Sequence, residues 1–376
     1  MRATSARSIF LLVFLLAVAA CGGGENRPGG GALNGLGIAR LNTDGTLDAG
    51  FAFGTGFDSV VFSVAPANDG SGDVYVGGFF ASYNGAGANR IARLNADGTL
   101  DTGFAIGTGF DSTVNTIAPA SDGSGNVYVG GRFLNYNGAS AQGIARLKAD
   151  GTLDAGFANS TGFNNGVTSI APANDGSGNV YVGKGDSGIV RLKSDGTPDA
   201  GFAVGTGFGG LSFGVSTVAP ANDGSGDVYV GGDFSTYNGA AVMGIARLNA
   251  DGTLDTGFDV GVGFGVFGTL GGFSSDAVSS IAPANDGSGD VYVGGNFSAY
   301  KGAAAMGVAR LDANGTLNVA FAMNTGLIGD GFVSTGSGFI GTGLLATGSI
   351  AAANDGSGKV FAGGRFFSPR TLRPPP

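Results

Sequence analysis

Two phrases alternate along the chain, and only a repeat architecture accommodates them. The first is Ile38-Ala39-Arg40-Leu41, then Asp44-Gly45-Thr46-Leu47-Asp48 and Phe51; further copies begin at Ile91, Ile144, Ile189, Ile245 and Val308. The second is Asn68-Asp69-Gly70-Ser71-Gly72-Asp73-Val74-Tyr75-Val76-Gly77-Gly78, and its first valine returns as Val127, Val180, Val228, Val291 and Val360. Starts of the first phrase lie 53, 53, 45, 56 and 63 residues apart. Self-similarity at such a period means one supersecondary unit per repeat, each burying its apolar face against its neighbours.

Each unit predicts four short strands. Val60 to Ala65 is apolar and β-branched, and the Asp-Gly-Ser-Gly cluster after it is hairpin chemistry. Val74-Tyr75-Val76 follows, then a Tyr-Asn-Gly loop (Tyr83 to Gly85), Ile91 to Leu94, a second Asp-Gly turn and Leu100 to Phe104. No stretch of useful length has a helical period. A four-stranded unit of about 50 residues is too long for a β-helix coil and matches a propeller blade. The chain opens with the third and fourth strands of a unit (Ile38 to Phe51) and closes with the first and second (Ser349 to Ala352, Val360 to Gly364). Pairing these half-units predicts an all-β propeller of six four-stranded blades, closed by its termini and without an exposed sheet edge.

The strings GIARLNADGTLDTGF (244–258) and IAPANDGSGDVYVGG (281–295) resemble the delta-60 repeat of bacterial surface proteins. The resemblance covers about residues 36–366. It implies propeller blades and supplies no catalytic residues.

Ahead of the repeats, Arg2 and Arg7 precede an apolar run from Ile9 to Ala17. Counted through Ala20 it is about 12 residues, against the roughly 20 needed to span a bilayer. It ends in Val18-Ala19-Ala20-Cys21, which resembles the lipobox of bacterial lipoproteins. That resemblance implies acylation of Cys21, a membrane partner through the lipid, and an extracytoplasmic address in the cell envelope. Gly22 points to the outer membrane if the host is Gram-negative. The alternative is an ordinary secretory signal with a cysteine after its cleavage site. The expected organisation is a signal peptide at 1–20, a Gly-rich tether at 21–35, the propeller at 36–367 and a Pro/Arg tail at 368–376. That tail is either a natural basic extension or the mark of a truncated or frame-shifted array.

Composition removes most chemistry. The chain has no His and one Cys, which excludes Ser-His-Asp and Cys-His catalysis, His-ligated zinc, thiolate clusters and internal disulfides. No metal or cofactor is expected. A net charge of −9 argues against nucleic acid and against a peripheral grip on anionic lipid.

The repeated charges read as structure. A three-residue turn at Thr43-Asp44-Gly45 sets Leu41 opposite Leu47 and Arg40 opposite Asp48. The same register pairs Arg93 with Asp101, Arg146 with Asp154, Arg191 with Asp199 and Arg247 with Asp255. Arg310 meets Asn318 instead, so an Asp there is expected to complete the ring. The alternative is a ring of charges that binds a ligand. Asp69-Gly-Ser71-Gly-Asp73 also spaces oxygens like the start of a calcium loop, but no later Glu completes it. An Asp-Gly turn accounts for it with fewer assumptions.

Strand connectivity predicts both Asp-Gly turns at one end of the ring, with the Tyr-Asn-Gly loops and inter-unit segments at the other. Tyr83, Tyr136, Tyr237 and Tyr300, together with Lys184 where the third unit lacks its Tyr loop, are the candidate binding residues. The alternative role for the tyrosines is to staple loops to neighbouring blades. A binding or adhesion module for a surface protein or glycan is the leading function, ahead of a structural part of an envelope assembly. A carboxylate-based enzyme on polysaccharide comes third, because Asp259 and Asp276 suggest no catalytic pair.

Overall fold

In the computed structural model the described residues are 38–40, 48–158, 163, 166–185, 188–210, 214–265, 278–305, 307–324, 346–352 and 360–365. The expected signal segment, Cys21, the tether, the tail and most of the two Phe- and Gly-rich insertions (Val260 to Ser275, Asn324 to Gly348) lie outside them. Among the described residues, five three-stranded antiparallel sheets of strands four to seven residues long follow one another along the chain, and a two-stranded sheet of such strands comes after them. In the first unit an inner strand, Val61–Pro66, pairs with a middle strand, Val74–Gly78, which pairs with an outer strand, Ile91–Leu94. The second unit repeats this with Val114–Pro119, Val127–Gly131 and Ile144–Leu147. The third uses Val167–Pro172, Val180–Lys184 and Gly188–Leu192. The fourth and fifth use Gly214–Pro220, Val228–Asp233 and Ile245–Leu248, then Val278–Pro283, Val291–Gly295 and Val308–Leu311. Ala346–Ala352 and Val360–Arg365 form the last sheet.

The middle strands are apolar because both faces are covered. All five residues of Val74–Gly78, and of its copies Val127–Gly131 and Val291–Gly295, are buried. Full burial of each valine there is worth roughly 1.5–3 kcal/mol. The buried cluster of the third to fifth units runs unbroken from Ala173 to Leu311, so the core lies between sheets as much as within them.

The expected fourth strand shrinks to one bridge per unit: Leu94 with Leu100, Leu147 with Leu153, Leu192 with Pro198, Leu248 with Leu254 and Leu311 with Leu317. A turn stops it. Asp101 accepts the Gly103 amide on its carboxylate and the Phe104 amide on its carbonyl, which curls the chain away from the sheet.

The Tyr-Asn-Gly segments are hairpins rather than loops. Thr236–Tyr237 pairs with Ala240–Ala241 and, on its other side, with Phe208–Gly209 from the inter-unit segment. Phe264–Gly265 joins Ala299–Tyr300 and Ala303–Ala304 in the same way, and single bridges join Phe57 to Tyr83 and Phe110 to Tyr136. One short helix, Val319–Asn324, also departs from expectation. Asn318 caps it by accepting the Phe321 amide.

Neighbouring sheets pack through their inner strands. A glycine in each of the first four middle strands admits the next unit. A Cβ on Gly130 would stand 2.5 Å from Val167 Cγ1 and 2.8 Å from Ile170 Cδ1, and Gly77 and Gly231 meet the same crowding. Side chains finish the joint, because an inner-strand edge carries backbone groups that need partners. Ser63 Oγ accepts the Ile117 amide, and Ser169 Oγ the Val218 amide. Gly130→Ala is expected to destabilise the protein by about 1–3 kcal/mol through overpacking, measured as a lower urea midpoint.

Candidate functional site

The repeated arginines occupy the joints between units. Arg40 Nε bonds Asp48 Oδ2 at 2.7 Å, Arg146 and Arg191 bond Asp154 and Asp199 at 2.7 Å, and Arg247 pairs with Asp255. Nη1 of each reaches a backbone carbonyl in the following unit: Arg40 to Ala96, Arg146 to Ser194, Arg191 to Ala250 and Arg247 to Ala313. The guanidinium also lies over an aromatic ring, 5.0 Å from Phe157 for Arg146 and 5.1 Å from Phe202 for Arg191. The Gly201 amide foremost, and then Arg191, outweigh desolvation and hold the Asp199 carboxyl below its ordinary range.

Two units use the arginine differently. Arg93 Nη2 bonds Asp69 at 2.7 Å and Asp73 at 2.9 Å, and its Nε lies 3.5 Å from Asp101. Arg310 bonds Asp286 and Asp290 at 3.0 and 2.7 Å. Where the turn ends in Asn126 or Asn179, the arginine finds its carboxylate on the other side. Asn318 gives its side-chain amide to Asp312, while its backbone amide bonds Arg310 O just as that of Asp101 bonds Arg93 O in the first unit. Within the turns, Asp69 accepts the Ser71 amide and hydroxyl, and those bonds occupy the oxygens that resembled a calcium loop.

Tyr83, Tyr136, Tyr237 and Tyr300 were expected on an exposed face, and this placement is overturned. All four are at most 1% exposed. Each hydroxyl donates to the carbonyl of a turn glycine in its own unit: Gly98 at 2.6 Å, Gly151 at 2.5 Å, Gly252, and Gly315 at 2.7 Å. Burial pushes the hydroxyls of Tyr83 and Tyr237 up to about 12. The Tyr hairpin thus reaches the second Asp-Gly turn, and so does the inter-unit segment, through the Ala52 amide on Asp97 O. The predicted segregation of those loops to opposite ends fails for the same reason. Lys184 ends its middle strand half-buried, with Cε 3.2 Å from where a Gly188 Cβ would stand. The structure does not bring it together with the tyrosines.

Variation between units collects where the middle strand ends. After the paired glycines stand Phe79, Arg132, Asp233 and Asn296 in the first, second, fourth and fifth units, each beside the start of an inner strand. Phe79 and Arg132 are exposed. Asp233 is half-buried, its Oδ2 has no partner among the described residues, and desolvation raises its carboxyl above the ordinary value. The sequence signal that finds these residues is position-by-position comparison of the units, which motif reading passes over.

A family model agrees with this architecture. The family described as a domain of unknown function (DUF5122) β-propeller matches residues 29–51, 70–104, 123–157, 175–202, 224–258 and 287–321, just over half of the chain. The chain belongs to that family. Among solved structures, it is similar to the extracellular domain of a protein assigned as a one-component system of B. thetaiotaomicron. Identity is 16%, the TM-score is 0.49, and the match covers 85% of this chain and 34% of that one. The chain thus spans about a third of the length of that relative. No curated protein matches it. No helix among the described residues is long and apolar enough to cross a membrane.

The staple role of the tyrosines has a direct check. Tyr136→Phe leaves the buried turn carbonyl of Gly151 without its donor and is expected to cost about 0.5–1.5 kcal/mol in urea unfolding.

Proposed function

We propose that this member of the DUF5122 β-propeller family is a non-catalytic binding module, lipid-anchored in the bacterial envelope and facing away from the cytoplasm. Its six repeats would close into a ring when the strand at Ile38 to Leu41 adds to Val360–Arg365, in the register that sets Ile91 opposite Gly77 in the first unit. The observation that carries the reading is a division among polar residues. Those that recur cap turns or join units, whereas the residue after the middle-strand glycines changes from Phe79 to Arg132, Asp233 and Asn296. Chemical variety on a rigid repeated frame is what a recognition surface needs. The recognition face is accordingly assigned to the ends of the middle strands and not to the Tyr hairpins. The carboxylates with the best geometry are consumed by arginines and amides, which disfavours the polysaccharide enzyme.

The purified chain carrying Cys21→Ala, screened on glycan and peptide arrays beside its Asp233→Ala derivative, is expected to give ligands whose signal falls with that second change or with others in the row. Silence on both arrays would return the protein to a purely structural role. The anchor is tested separately. Radiolabelled palmitate should enter the wild-type chain in a bacterial host and be absent from Cys21→Ala; equal labelling would remove the lipoprotein assignment.

A further inference from the structure

The first unit departs from the others at three positions, and all three lie at one end of its sheet. At the inner-strand bulge, Asn115 Nδ2 donates to Val167 O at 2.9 Å and Thr168 Oγ1 to Val215 O at 2.7 Å, each across a joint. Phe62 holds that position in the first unit, where it cannot donate and is 53% exposed. Phe79, also 53% exposed, follows the paired glycines. Arg90 adopts a left-handed φ of 64° at a position filled by Gly143, Gly244 and Gly307 elsewhere. Each departure works against the fold, through exposed aromatic surface, a joint without its side-chain donor and a Cβ in a disfavoured backbone region. Stability gives no reason for the three to coincide.

Their geometry makes one surface. The Phe79 amide donates to Val60 O at 2.8 Å, and the Gly78 amide to Arg90 O at 3.1 Å, so Val60, Phe79 and Arg90 stand side by side. Val60 is exposed as well. The Arg90 guanidinium lies 5.6 Å over the Phe79 ring, and its buried Nε has no partner among the described residues. In the second unit, exposed Arg132 takes the position of Phe79 and packs its Cγ against Gly166 of the third. Among the described residues, Arg40, Arg93, Arg146, Arg191, Arg247 and Arg310 are all ion-paired, while Arg90 and Arg132 have no carboxylate. In a chain of net charge −9, these two cations stand at the middle-strand ends of neighbouring units, Arg90 over Phe79 and Arg132 at the equivalent position beside Thr113.

We propose that Val60, Phe62, Phe79, Arg90 and Arg132 dock an acidic peptide segment of a protein partner. An aromatic or aliphatic residue of that segment would sit on the two phenylalanines, with flanking carboxylates on the two guanidiniums. The proposal rests on the assignment of this end of the strands as the recognition face. Guanidinium offers donors only, so its complement is a carboxylate that only accepts. A sugar presents hydroxyls of both kinds and needs acceptors as well, which the side chains of this patch lack.

The test uses the full chain with Cys21→Ala and a displayed peptide library in which one central aromatic is flanked by randomised positions. The comparison protein adds Phe62→Ser, Phe79→Asn and Arg90→Gly, each the residue that another unit carries (Ser216, Asn296, Gly143). Clones rich in Asp and Glu should be enriched on the first protein by roughly tenfold or more over the second, and less so at high salt. The urea midpoint of the comparison protein should be unchanged or higher. Equal recovery on both proteins, or selection of basic or uncharged clones, would sink the proposal. A fallen midpoint would make the three residues structural and sink it too, as would self-association that the three changes abolish without any peptide enrichment. Array ligands that survive the three changes but need Asp233 would end this docking site and leave the recognition face standing.

Discussion

One arginine per unit holds the array together, and most of the recurring sequence is explained by what it touches. Its guanidinium meets a carboxylate of its own unit, the face of an aromatic ring and, in the first four units and at Arg40, a backbone carbonyl in the unit that follows. A planar group with five donors can serve all three at once, which a lysine ammonium cannot. The surrounding phrase follows from that requirement. Ala and Leu beside the arginine fill the sheet, the Asp-Gly turn brings the acceptor carbonyl of the next unit into reach, and the later Asp and Phe supply charge and ring.

Much of this was legible in the sequence because a repeat prints its requirements several times. Strand order, the hairpin turns and the opposition of Leu94 to Leu100 all follow from spacing and alternation. Other features were not legible, each for a physical reason. The tyrosines of the hairpins looked like ligand-binding residues because a Tyr-Asn-Gly sequence is turn chemistry and turns are usually exposed. Nothing local reveals that a hydroxyl will find a glycine carbonyl 15 residues away. The fourth strand was overcalled because Asp101 is compatible with both a strand pair and a turn cap, and the cap prevailed. Asn318 resembled a lost charge, yet it starts a helix by accepting the Phe321 amide, a cap that one six-residue helix does not announce in its pattern.

The same contrast separates frame from recognition. A residue that every unit carries is explained by a contact that every unit makes. Phe62, Phe79 and Arg90 have no such explanation, and each sits where a sibling residue would suit the backbone better. Proteins tolerate such local costs where a surface has another task, and the deep burial of the middle strands leaves this one able to bear them.

The joint has a consequence at the level of the gene. Successive units repeat one arginine-to-carbonyl contact across the joint, so that contact carries no record of its place in the series. Duplicating or losing one whole period would leave that arginine a carbonyl to reach in the unit it then meets. The spacings of 45 to 63 residues show that insertions are absorbed between joints and leave the joints themselves intact. Such an array can lengthen, shorten and diversify one unit at a time, and a single copy such as the first is free to drift toward a new ligand while its siblings keep the frame.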